Sequence, residues 1–239
     1  MTTILRAPRS LECFLLRYLD LPSLLLLQKH IALEIKQSKT HRAVVILAEH
    51  PECCSTGNSA EEYRMESSIS SELLTARREA VSVNRPGGLW EHGPGQLGVF
   101  VTFSLEKTEL TPLSFCQAVE ILIQEACVQV GIHNPGLEPG FGIVGRSGVV
   151  ARTAFTVRDS IVQSMIYLNV SHHYRISSRT HNSSLSAESM HKISVQSLKT
   201  AVIDHLSQWL TDSKISTFTT HPLLKKYRLS DLPNLDELD

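Results

Sequence analysis

The most regular apolar pattern in the N-terminal part of the chain runs from Pro22 to Lys36. There Leu24, Leu27, Ile31 and Ile35 recur at spacings of three and four. That period puts them on one helical face, with Pro22 suited to the first turn. Arg42 to Ala48 carries a continuous apolar run and predicts a strand buried on both sides. Residues 49–80 lose this regularity and read as loop, with one short helix around 71–78. Val81 and Val83 alternate with polar residues as in a short strand, and Leu97 to Phe103 is strand-like again. A second amphipathic helix follows, with Phe115, Val119, Leu122, Ile123, Ala126 and Val130 on one face. Thr111 or Ser114 caps it and Gly131 ends it. Residues 133–147 read as loop with a short strand. Val149 to Val157 and Ile161 to Val170 form two strands joined by an Arg158-Asp159-Ser160 hairpin. Residues 171–192, rich in Ser and His, read as a polar loop, and Val195 to Leu210 as a helix. No repeat or linker divides the chain. The pattern predicts an α+β fold, a mixed and largely antiparallel sheet with flanking helices.

Composition narrows the function. The 239 residues are 42% apolar and 20% charged, which excludes disordered and fibrous classes. Lys and Arg number 23 against 24 Asp and Glu, a net charge of -1. Nothing in that balance favours nucleic acid or an anionic membrane. The run Leu24 to Leu27 falls far short of the roughly 20 residues needed to span a bilayer. The five cysteines are odd in number and contain no C-x-x-C pair, which reads as a reducing compartment without a disulfide framework. The expected location is cytoplasmic. Arg6, Arg9 and Arg17 leave a mitochondrial presequence open if the source is eukaryotic, although Glu12 interrupts them.

Candidate chemistry concentrates between Arg85 and Gln96. His92 is followed by Gly93, Pro94 and Gly95, and glycine permits close backbone approach and positive φ. An imidazole beside a ligand-lined wall and a plain turn both fit this run. Cys53 and Cys54, near Glu49 and His50, fit either a pocket lining or simple packing. His172, His173, His181 and His191 lack interleaved carboxylates, so no metal site is expected of them. Arg146, Arg152 and Arg158 fit a solvated face or a contact with an acidic partner.

The segment His92-Gly93-Pro94-Gly95-Gln96, with Arg85-Pro86-Gly87 ahead of it, resembles the hallmark of the lipoyl(octanoyl) transferases, also called lipoate-protein ligase B. Glu49-His50 with Thr56-Gly57, Leu168-Asn169-Val170 and Met190-His191-Lys192-Ile193 resemble further family segments in the same order. The resemblance implies a biotin/lipoate protein ligase-like fold. It divides the chain into an N-terminal extension (1–17), an octanoyltransferase-like domain (18–211) and a tail (212–239). It implies transfer of an octanoyl group from acyl carrier protein to a lysine of a lipoyl domain, of a 2-oxoacid dehydrogenase or the glycine cleavage H protein. The family works through a thioester on a Cys, assisted by a Lys, with no cofactor and no metal. Arg85, Gly87, His92, Gly93, Gly95 and His50 would line the pocket, and Trp90 would wall an acyl site or fill a core.

The chain departs from the family at the reacting pair. Gapless counting puts Val149 where the family has its Lys and Ser183, within His181-Asn182-Ser183-Ser184, where it has its Cys. Ser164 stands where the family has a His. Two readings follow. Ser183 replaces Cys as nucleophile, with His92, His50 or His181 as the base a hydroxyl requires. Alternatively the protein is a non-catalytic binder of acyl groups, acyl carrier protein or lipoyl domains. An adenylate-forming ligase of the same fold is disfavoured, because those enzymes keep a Lys where Val149 stands. Either leading reading expects Val149 and Ser183 to meet beside His92.

Overall fold

Side chains of one central strand, β2 (Arg42–Glu49), divide the molecule into two cores. Ala43, Val45 and Leu47 point into one and Val44, Ile46 and Ala48 into the other. Strand side chains alternate between faces, and both faces are covered, so the sequence shows an unbroken apolar run. The computed structural model describes residues 10–38, 42–58, 80–106, 108, 110–138, 140–176, 181–209 and 214–226.

The main sheet contains eight strands in the order β11-β1-β2-β6-β10-β9-β8-β7. These are β1 (Ser10–Tyr18), β2, β6 (Gln96–Ser104), β7 (Gly136–Glu138), β8 (Gly142–Val144), β9 (Val149–Arg158), β10 (Ile161–Asn169) and β11 (Lys214–Phe218). β1 runs parallel to β2 and β11, and every pairing from β2 to β7 is antiparallel. One face packs on α2 (Pro112–Gln129) and α4 (Val195–Trp209). The other carries α1 (Leu21–Gln37) and a small sheet of β4 (Val81–Ser82), β3 (Cys53–Thr56) and β5 (Leu89–His92).

Local signals explain the boundaries. Asp20 caps α1 by accepting from the Ser23 N–H at 2.9 Å. Thr111 and Ser114 form a reciprocal capping box on α2, and Gly131, at φ +100°, ends it. Asp159 and Ser160 both take positive φ, 49° and 62°, as a tight primed turn between β9 and β10 requires.

Several expectations change. β3 lies in what read as loop, and residues 133–147 hold two short strands, β7 and β8, instead of one. The 17/18 boundary falls within β1, and β11 lies beyond residue 212. β1 sits between β2 and β11, and β11 finds its partner at the opposite end of the described chain. A short α5 (Pro222–Lys226) follows β11. The helix expected around 71–78 lies outside the described residues.

Candidate active site

The antiparallel register of β3 on β5 sets Cys53 opposite His92 and Ser55 opposite Trp90, all on one face of the small sheet. Arg85 enters from the loop after β4. Its Nη2 donates to the Ser55 hydroxyl at 2.9 Å and the Ser55 carbonyl at 3.2 Å. The guanidinium also lies 3.6 Å above the Trp90 ring. Ser55 Oγ is 2.7 Å from His92 Nε2, and His92 Nδ1 is 3.0 Å from Gln96 Oε1. Gln96 Nε2 donates to Asn169 Oδ1 and to the Glu91 carbonyl. Asn169 Nδ2 in turn donates to the Tyr174 and Ser183 carbonyls.

These contacts fix the protons. The Gln96 amide nitrogen faces two acceptors, so its oxygen accepts and His92 Nδ1 carries the hydrogen. Burial, with the neighbouring His50 and Arg85, holds His92 well below the usual imidazole range. The ring is neutral and Nε2 is a bare lone pair facing the Ser55 hydroxyl. Every bond from Arg85 to the Tyr174 and Ser183 carbonyls therefore points the same way, an arrangement in which hydrogen bonds polarise one another.

A second hydroxyl–imidazole pair lies beside the first. His50 Nδ1 contacts the Leu19 carbonyl, and the Tyr167 hydroxyl donates to Nε2 at 3.1 Å. Burial lowers His50 and raises Tyr167 well above its ordinary value. The Tyr167 ring centroid is 4.1 Å from that of His92. Trp90, Phe100 and Tyr167 are fully buried around these imidazoles, so Trp90 serves as core here. Glu49 turns to the opposite face of β2. It accepts from the Gly95 N–H at 3.2 Å and lies 3.8 Å from Lys199, whose ammonium burial pushes down. The Glu49-His50 pair thus holds the His92–Gln96 turn from one side and the site from the other. A Cβ on Gly93 would strike the Tyr174 hydroxyl at 2.3 Å, and Gly95, at φ +84°, faces Ser171. Gly87 takes φ +94°.

Val149 and Ser183 pair through their backbones. Val149 N donates to His181 O and Ser183 N to Val149 O, both at 2.8 Å. Their side chains do not form a reacting pair. Val149 is buried in the apolar cluster with Trp90, Phe100 and Tyr167. The Ser183 hydroxyl donates to Glu188 Oε1 at 2.8 Å. Glu188, at the end of α3 (Leu185–Glu188), also accepts from the Arg146 and Ser147 N–H groups. These bonds hold its carboxyl below the ordinary range against the opposing effect of burial. None of His50, His92 and His181 is the hydrogen-bond partner of Ser183, and His181 is exposed. His92 reaches Ser183 only through Gln96, Asn169 and the Ser183 carbonyl.

Other candidates separate. Arg152 is not on a docking face: it is buried, 3.6 Å over the Phe141 ring. Cys53 and Cys54 are half-buried, and burial pushes the Cys53 thiol up to about 11. The Ser164 hydroxyl accepts from the Val101 N–H. Among the described residues no group of three or more His, Cys, Asp or Glu is placed to hold a metal, and no helix is long and apolar enough to cross a membrane. Sequence reasoning missed Ser55, Tyr167 and Glu188. Gln96 and Asn169 lay inside quoted motifs without an assigned role.

No protein-family profile matches the chain. An octanoyltransferase from Bacteroides thetaiotaomicron is 26% identical over 193 residues, covering 74% of this chain and 84% of that protein. Among solved structures, a lipoate-protein ligase A bound with ATP matches at a TM-score of 0.67, with 13% identity over 93% of this chain and 97% of that one. A bipartite lipoate protein ligase from Thermoplasma acidophilum, studied with its E2 lipoyl domain, matches at 0.65, with 13% identity over 92% and 94%. The fold also recurs in a biotin protein ligase from Leishmania major, at 0.55 with 11% identity over 87% and 77%. The chain has the biotin/lipoate ligase fold, and the sequence resemblance to octanoyltransferases holds.

Proposed function

We propose that this protein acts in lipoate metabolism as a divergent octanoyl/lipoyl transferase-like protein. It binds a medium-length acyl group beside Arg85, Gly87, His92, Gly93, Gly95 and His50 and meets a lipoyl domain as its macromolecular partner. Its acyl donor would be acyl carrier protein, and its acceptor the lysine of a 2-oxoacid dehydrogenase domain or of the glycine cleavage H protein. A cytoplasmic location belongs to the same reading. The observation that supports this reading is the backbone pairing of Val149 with Ser183, the two positions that the resemblance aligns with the family's Lys and Cys. On that alignment the two reacting side chains are replaced while the surrounding motifs are kept.

A thioester route through this pair is therefore absent. Val149 moves no proton, and the Ser183 hydroxyl donates to a Glu188 carboxylate that also accepts from the Arg146 and Ser147 N–H groups. The same facts favour the second reading, a non-catalytic binder of acyl groups, acyl carrier protein or lipoyl domains. Titration calorimetry with octanoate, octanoyl-acyl carrier protein and an isolated lipoyl domain tests the proposal. Binding of octanoate, weakened by Gly93→Leu because the new side chain enters the Tyr174 contact, is the expected result. Absence of binding by all three overturns it.

A further inference from the structure

We propose that Ser55, not Ser183, is the acyl-accepting nucleophile of this protein, with His92 as its base and Gln96 as the group that orients the base. This rests on the reading of the site as an acyl-handling pocket and supplies the residue to which the acyl group is attached. A hydroxyl nucleophile requires a base in hydrogen-bond contact and a third group that fixes the base, and such constellations are recognised by geometry, not by sequence position. Ser55 Oγ lies 2.7 Å from His92 Nε2, and His92 Nδ1 lies 3.0 Å from Gln96 Oε1. The two donor bonds of Gln96 lock its oxygen towards the ring. Arg85 Nη2, at 2.9 Å, donates to the oxygen that becomes negative when its proton leaves. Ser183 has a carboxylate in place of the imidazole and no cation on its oxygen in the hydrogen bonds given above. Ser55 is buried and Cys53, two residues earlier on the same face of β3, is half-buried.

The steps balance. Ser55 Oγ attacks the carbonyl carbon of an octanoyl thioester as its proton passes to His92 Nε2. The C–S bond breaks, the thiolate leaves with that proton, and an octanoyl ester remains on Ser55. A neutral lysine amine then attacks the ester carbon and gives a proton to His92. Ser55 Oγ departs with that proton, and the product is an amide. Gln96 keeps the tautomer but brings no countercharge, so acylation is slower than with a carboxylate in its place.

The test incubates the full chain with octanoyl-pantetheine and follows intact mass. Wild type should gain one octanoyl group, stable to neutral hydroxylamine and removed by alkali, as an oxygen ester is. Ser55→Ala should lose the adduct. His92→Gln should slow its formation by roughly 10²- to 10⁴-fold, the usual contribution of a general base. Ser183→Ala and Cys53→Ala should keep it. Ser55→Cys in the Cys53→Ala background should turn the adduct hydroxylamine-labile, which assigns the site even if Ser55→Ala folds poorly. An adduct that persists in Ser55→Ala, disappears in Ser183→Ala or Cys53→Ala, or never forms overturns the proposal. Octanoate binding without an adduct defeats this inference and leaves the acyl-binding function standing; neither binding nor adduct defeats both.

Discussion

Ser55 and Ser183 are both buried and both donate hydrogen bonds, yet their surroundings are opposite. On the β3–β5 side the acceptor is a neutral imidazole, and an arginine stands on the hydroxyl oxygen. On the β9 side the acceptor is a carboxylate already occupied by two backbone N–H groups. A proton can pass to the first acceptor and be returned. The second holds it in a bond that ties the 145–148 turn to α3. Residue type alone does not distinguish a reactive hydroxyl from a structural one; the partner and its charge do.

The contrast is sharpest in Asn169, which serves both regions. Asn169→Leu removes the acceptor of Gln96 and the donor to the Tyr174 and Ser183 carbonyls. An unsatisfied buried polar group costs about 1–3 kcal/mol, so a loss of about 3 kcal/mol or more is expected from urea denaturation. On the β9 side, Glu188→Gln keeps one oxygen acceptor and should cost only about 1 kcal/mol by the same measurement. Equal losses would mean that the two regions are not energetically distinct.

Restoring the missing pair tests whether the β9 side can still be made reactive. Val149→Lys with Ser183→Cys should create a thiol captured by octanoyl-acyl carrier protein, read as a hydroxylamine-labile adduct. Either single change should do little, because the partners depend on one another. The lysine replaces a fully buried apolar side chain, so the double variant should also unfold at lower urea than wild type. A thiol no more reactive than that of Ser183→Cys alone would mean that the side chains of 149 and 183 diverge.

A smaller effect separates the regions by pH. His92 and His50 are held below the ordinary imidazole value of 6.5 in the fold. Their stabilisation is complete above that value and is lost as pH falls below it, because the unfolded chain binds protons that the buried rings refuse. Stability should drop between pH 6.5 and 5. His92→Gln should start lower but fall less steeply, as measured by urea midpoints across that range. Glu188 has the ordinary value 4.5 and a lowered value in the fold. Its contribution holds above 4.5 and is lost only at more acid pH, so Glu188→Gln should leave the slope above pH 5 unchanged.

Periodicity made the large elements legible. α1, α2, α4, β2 and the β9–β10 hairpin each bury one helical stripe or carry a long apolar run, and local sequence records that. β3 is four residues, Cys-Cys-Ser-Thr, half-buried at most positions, with no alternation to read. β11 is short and gains its place from β1, whose pairing no local window contains. The expectation that Val149 meets Ser183 came from a resemblance counted along the chain, not from periodicity. The Ser55 relay was not legible, because Arg85 and His92 reach Ser55 from 30 and 37 positions away. The same residue pattern fits a turn packed for stability alone.

The sheet edge at β1 has a consequence for how the protein is made. β1 is synthesised before β11, and among the described residues its outer row of N–H and C=O groups is closed by β11, drawn from the other end of the described chain. Until residues 214–218 emerge and dock in parallel, a nascent or truncated chain presents an open strand to any neighbour able to add to it. A protein shortened before Lys214 should therefore fail through self-association, and its solubility should depend on concentration more steeply than that of the full chain.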